Sequence, residues 1–118
     1  MRKVKVRVIG FGYWGPNYVR NFVRHKNSEV DWVCDVSSKS LARVRRSYPH
    51  IKVTKNFKDI LEDDSINLVA IATPPSTHIK IAKASLLSNK HTLVAKPLTT
   101  KSKTAMNLIG LAKRRKLL

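Results

Sequence analysis

Three glycines, Gly10, Gly12 and Gly15, are the residues whose spacing most directly implies chemistry. They stand in Gly10-Phe11-Gly12-Tyr13-Trp14-Gly15, a G-x-G-x-x-G run that follows a strand-like segment and precedes a helix-like one. Each glycine has a mechanical reason. The first permits a tight turn, the second lets main chain approach a pyrophosphate where a Cβ would collide, and the third lets the helix pack closely on the strand. The N–H groups at the start of that helix, with the positive end of its dipole, then face the phosphates. A glycine-rich turn without a ligand is the competing reading, and the context decides against it. Asp35 lies 20 residues beyond Gly15, at the end of the next apolar strand. A carboxylate there accepts hydrogen bonds from both adenosine ribose hydroxyls and repels a 2′-phosphate, which points to NAD and disfavours NADP. Lys39 and Arg43 are near enough in sequence to soften that repulsion, and a helix cap is the plainer role for Asp35.

The segments that must position these residues alternate between strand and helix. Val4, Val6, Val8 and Ile9 predict a first strand ending at Gly10, with Arg7 inside the alternation. Pro16 opens a helix with Tyr18, Val19, Phe22 and Val23 at helical spacing. Val30, Trp32, Val33 and Cys34 predict a second strand, and residues 38–47 a second helix with Leu41 and Val44 inward. Residues 51–54 read as a short strand; Phe57, Ile60 and Leu61 make a short helix; residues 66–72 form a nearly all-apolar strand, as in the middle of a parallel sheet. Helix resumes near Thr77, with Ile79, Ala82, Leu86 and Leu87 inward, before a fifth strand over 91–95 and a last helix over about 100–113. The expectation is α/β: a Rossmann-type, doubly wound parallel sheet of about five strands in three layers, one domain over residues 1–118.

Composition narrows the class. A hydrophobic fraction of 42% and an aromatic fraction of 7% over 118 residues suit one globular domain and argue against disorder. No apolar run approaches the roughly 20 residues of a membrane span. The basic start leads into strand and glycines rather than a secretory signal, so the expected location is the cytoplasm. The single cysteine, Cys34, forms neither an internal disulfide nor a metal cluster, and no metal site is expected. The net charge of +17 is the unusual feature. It raises nucleic acid as a partner, although no zinc-finger, RNP-like or basic-zipper pattern accompanies it and a solvated basic surface is the plainer account.

Two later segments extend the pattern: Ala72-Thr73-Pro74-Pro75-Ser76-Thr77-His78 and Ala95-Lys96-Pro97-Leu98. With Val8 to Gly15 and Cys34-Asp35, in this order and at these intervals, the chain resembles the N-terminal domain of the Gfo/Idh/MocA oxidoreductases. The two segments match that family's T-P-P-x-x-H turn and its E-K-P-L element. The run Gly12-Tyr13-Trp14-Gly15-Pro16-Asn17, followed by Arg20-Asn21-Phe22, is similar to the branch acting on nucleotide-linked sugars, such as UDP-N-acetylhexosamine 3-dehydrogenases.

The resemblance implies roles position by position. Phe11, Tyr13 and Trp14 belong to the nucleotide loop. Thr73 and Pro74 line the cofactor near its ribose and pyrophosphate. His78 sits at a helix start beside it, and Lys96, next to Pro97, reaches the nicotinamide ribose and the substrate hydroxyl as the candidate catalytic residue. The implied reaction is oxidation of a sugar hydroxyl with hydride passing to NAD. Two departures qualify this. Ala95 stands where the family usually has glutamate and cannot orient Lys96 by an ion pair. The chain also stops at Leu118, before the family's last Rossmann strand and its C-terminal antiparallel sheet domain, which carries the substrate pocket. The expectation is therefore an NAD-binding domain with little or no turnover alone, taking a sugar or nucleotide-sugar only if a substrate domain is supplied. An uncovered apolar edge would favour a homo-oligomer. The alternatives are a stand-alone NAD-binding or sensor module completed by a partner chain, and a basic Rossmann-scaffold protein that binds nucleic acid.

Overall fold

The computed structural model describes residues 4–12, 15–63, 66–73, 75–94 and 110–113. Strand and helix alternate along the chain: β1 (Val4–Ile9), α1 (Gly15–Arg24), β2 (Ser28–Cys34), α2 (Ser38–Ser47), β3 (Lys52–Thr54), α3 (Phe57–Leu61), β4 (Leu68–Ile71), α4 (Pro75–Leu87) and β5 (His91–Val94). The five strands form one sheet in the order β3-β2-β1-β4-β5, and every pairing is parallel. This is the expected doubly wound architecture.

Side-chain alternation on β1 divides the core between the two sheet faces. Val6 and Val8 point to one face and pack with Val19 of α1 and Val44 of α2, all fully buried. Ile9 points to the other face, where Ile60 of α3 and Ile81, Ala82 and Leu86 of α4 form the second core. Leu111 and Ala112 pack against that second core. Central β4 is covered on both faces, so Val69, Ala70 and Ile71 all have no exposed surface, as its continuous apolar run implied.

Element ends differ from expectation by a few residues, for local reasons. β4 is shorter than 66–72 because its ladder to β1 spans Leu68 to Ile71. α4 starts at Pro75 rather than near Thr77, in keeping with the tolerance of a helix start for a residue lacking N–H. Its inward stripe runs through Ile81, Ala82, Ser85 and Leu86, which turns Leu87 a further 100° outward, to 47% exposure. Of the last expected helix, residues 110–113 are described, and they are helical. Ser37 caps α2 by accepting from the Ser40 N–H at 3.3 Å, so Asp35 does not serve as that helix's cap.

Arg7 is the largest departure. The strand pattern left it as a charged residue in an amphipathic segment, yet it is only 3% exposed. Its Nε and Nη2 donate to the two carboxylate oxygens of Asp31, both at 3.0 Å. Nη2 also donates to Asp63 at 3.0 Å, and Nη1 to the Ile60 carbonyl at 3.1 Å. The guanidinium carbon lies 5.6 Å from the Trp32 ring centroid. One side chain thus ties β1, β2 and the C-terminal end of α3, where helix carbonyls lack helical partners. Nearby, Lys90, also 3% exposed, donates to the Asp63 carbonyl at 2.7 Å.

Candidate functional site

The strand order reverses between β1 and β4, and open α/β sheets place ligands beyond the strand ends at such a reversal. Here the ladders run to the last residue. The Gly10 N–H donates to the Cys34 carbonyl at 2.7 Å, and the Ala72 N–H donates to the Ile9 carbonyl at 2.8 Å. The chain leaving β1 is therefore wedged between the ends of β2 and β4.

That wedge explains the glycine spacing. Gly10 has φ +102°, a left-handed value that L side chains rarely adopt. A Cβ there would lie 2.7 Å from the carbonyl carbon and oxygen of Ala72 and 2.8 Å from the Thr73 nitrogen. A Cβ at Gly15 would run into the carbonyl oxygen of Gly10, so the first residue of α1 is pressed onto the turn. Gly12 differs: a Cβ there would meet none of the described residues within 4 Å. Two glycines are required by the protein's own backbone, while the middle one keeps open space at the surface of the turn.

Phe11, at the apex, is held at both ends of its backbone. Its N–H donates to Asp35 Oδ2 at 2.7 Å, and its carbonyl accepts from Arg43 Nη2 at 3.0 Å. The Arg43 guanidinium also lies over the Phe11 ring, 5.6 Å from its centroid. Asp35 Oδ1 accepts a second main-chain bond, from the Ser37 N–H at 2.7 Å. The carboxylate thus faces the glycine turn at the mouth of the sheet and joins it to the loop between β2 and α2. Beside it, Val36 is 83% exposed, an apolar group at the rim.

Gly10, Phe11, Gly12, Gly15, Asp35 and Thr73 come together at this one edge. Tyr13, Trp14, Pro74, Lys96 and Pro97 lie outside the described residues, as does Ala95. His78 falls in the first part of α4, and its side chain lies outside what is described. Arg43 was read from sequence only for its charge near Asp35. Its grip on the Phe11 carbonyl had no sequence signal, because it depends on how α2 lies against the turn. Among the described residues no three His, Cys, Asp or Glu side chains group as a metal site, and no helix is long and apolar enough to cross a membrane.

Cys34 precedes Asp35 and is buried at 3% exposure. Burial first, then the carboxylates of Asp35 and Asp59, push its thiol up to about 12. The thiolate is the reactive form, so Cys34 is inert at neutral pH. We expect the native protein to resist iodoacetamide at pH 8 and to be alkylated once unfolded in urea; rapid native labelling would contradict this burial. The unfolded thiol ionises near pH 8.5. The folded one holds its proton longer, so this contribution to stability is complete below about pH 8.5 and is lost as the pH rises toward 12.

Comparison with known proteins agrees with this geometry. A family model described as "Oxidoreductase family, NAD-binding Rossmann fold", that of the Gfo/Idh/MocA group, matches residues 4–118. The uncharacterized oxidoreductase YdgJ of Escherichia coli K12 is 31% identical over 110 residues, covering 93% of this chain and 31% of that protein. Among solved structures, GenD2 from gentamicin A biosynthesis, in complex with NAD, superposes with a TM-score of 0.94 at 25% identity, covering all of this chain and 34% of that one. The UDP-N-acetylglucosamine 3-dehydrogenase GnnA of Acidithiobacillus ferrooxidans superposes at 0.88 with 27% identity, again over the whole chain and 36% of that one. This chain spans about a third of the length of these relatives.

Proposed function

Since this chain belongs to the Gfo/Idh/MocA oxidoreductase family, with its NAD-binding Rossmann fold, we propose that it is the cofactor-holding part of a dehydrogenase acting on a sugar or nucleotide-sugar hydroxyl. The observation that carries the reading is the Asp35 carboxylate, drawn to the glycine turn by the Phe11 N–H at 2.7 Å. An acid at that point meets an adenosine ribose, and the open space at Gly12 meets the diphosphate. The residues fit the cofactor in a second respect: a Cβ at Gly12 would fill the space the main chain leaves free.

In this reading Gly10, Phe11, Gly12, Tyr13, Trp14 and Gly15 hold the diphosphate, Asp35 the adenosine ribose, and exposed Val36 supplies an apolar rest for the adenine. Thr73, Pro74 and His78 border the cofactor from the β4 side. Lys96, next to Pro97 in sequence, holds the nicotinamide ribose and the substrate hydroxyl. Bound NAD supplies the hydride acceptor. The sugar assignment draws on the likeness to GnnA and on the run from Gly12 to Phe22. Turnover further requires a substrate carbon held against the nicotinamide.

Calorimetric titration tests this. We expect NAD to bind at least tenfold more tightly than NADP, and Asp35→Asn to narrow that preference by weakening NAD. The amide oxygen serves only one of the two N–H groups, Phe11 or Ser37, so the urea midpoint of the variant is measured alongside to separate lost stability from lost binding. Absence of heat with either dinucleotide, from a sample with intact secondary structure, would sink the proposal.

A further inference from the structure

The chain's 24 basic residues run along its whole length, and two helices on one face carry theirs without any acid. Helices α1 and α2 cover one face of the sheet and carry Arg20, Arg24, Lys39, Arg43, Arg45 and Arg46, all exposed, with no Asp or Glu in either helix. The chain's seven acids lie elsewhere in sequence: Glu29, Asp31 and Asp35 on or just after β2, and Asp59, Glu62, Asp63 and Asp64 in and after α3. Of these, Asp31 and Asp63 pair with Arg7, and Asp35 is engaged by main-chain amides. Asp31 and Asp63 are thereby drawn to Arg7, whereas Asp35, hydrogen-bonded by neutral amides, keeps its negative charge at the glycine-turn end of this face.

Those cations border a concavity. A cleft of about 370 Å³ opens between α1 and α2, lined by Phe11, Pro16, Arg20, Arg43, Arg46 and Tyr48, with Ser47 between the last two. No acid lines it. The acidic groups of this side, Glu29 and Asp31, line a second cleft with His50 and Val23. The groove is thus polarised, cationic toward the glycine turn and mixed toward the start of β2. A single bound anion would occupy one or two of these arginines. Along α2 alone, Lys39 to Arg46 extend over about 10 Å at 1.5 Å per residue, the reach of two or three successive phosphates on a strand.

We infer that the α1–α2 face binds the phosphate backbone of a single-stranded nucleic acid, with the Arg20–Arg43–Arg46 cleft as its central seat. Arginine is suited to this, because its planar guanidinium forks onto phosphate oxygens and stacks on bases. Half-buried Tyr48 gives the cleft an aromatic wall. The surface lies beside the dinucleotide turn and shares Phe11 with it.

Fluorescence polarisation with labelled 20-nucleotide oligo(dT) and oligo(U), from 50 to 200 mM NaCl, tests the inference. We expect binding in the micromolar range at low salt, weakening with a log–log slope of about −3, as several released counterions require. Arg45→Glu with Arg46→Glu should lower affinity at least tenfold and flatten the slope by about one. Lys80→Glu with Lys83→Glu changes the net charge equally on the opposite face, at exposed positions of α4, and should stay within threefold of the parent. Equal losses in the two variants would reduce the effect to net charge and overturn the inference. So would competition by polyglutamate as strong as that by unlabelled oligonucleotide, or no binding at 50 mM salt. Matching urea midpoints for both variants exclude unfolding as the cause.

Discussion

Gly10→Ala is expected to destabilise the protein by about 3 kcal/mol or more, whereas Gly12→Ala, two residues away, leaves its stability within about 0.5 kcal/mol. The same methyl group is added in both cases, and the surroundings decide the outcome. At Gly10 it requires a side chain at φ +102° and places a carbon 2.7 Å from the Ala72 backbone. Relief would require β1 and β4 to part at the end of their ladder, where Ala72 N–H bonds the Ile9 carbonyl. At Gly12 the methyl meets open space, so only a ligand can be obstructed. In our reading of the turn, Gly12→Ala therefore weakens NAD at least tenfold without moving the urea midpoint. Urea unfolding and NAD titration on the two variants separate the roles. A destabilised Gly12→Ala, or a Gly10→Ala as stable as the parent, would show that the turn is built differently.

Arg7→Ala should cost about 3 kcal/mol, the lower part of the range for breaking a buried ion pair. The lower part applies because Asp31 and Asp63 are 36% and 45% exposed and regain water when the guanidinium goes. The Ile60 carbonyl does not, because the residue is fully buried. Nor can the space under Trp32 refill from neighbouring side chains without strain. Arg7→Lys should recover less than half of the loss, since one ammonium cannot reproduce the fork that meets both Asp31 oxygens while reaching Asp63 and a carbonyl. Denaturant midpoints of the two variants report this directly. A loss below about 1 kcal/mol for Arg7→Ala would reduce the network to surface decoration.

Both cases bear on what the sequence reveals. The hydrophobic periods of β1, α1, α2 and β4 are local, and each of these elements lies where its pattern indicates. The glycine turn was legible because its requirement is steric and its spacing fixed. Arg7 was not, because strand alternation assigns it a face without saying that Asp31, one strand over, and Asp63, beyond α3, converge there. Asp35 was legible as a carboxylate at a strand end. Its bonds to Phe11 and Ser37 depend on how two loops meet in space. Leu87 was misjudged because a helix of mixed small and apolar residues offers two nearly equivalent stripes, and packing on the sheet chooses between them.

The double grip on Phe11 has an energetic consequence. Its N–H and its carbonyl are engaged by groups from two other parts of the chain, Asp35 after β2 and Arg43 of α2. A turn braced from two sides has less freedom to lose when a dinucleotide meets it, so less of the contact energy goes to ordering it.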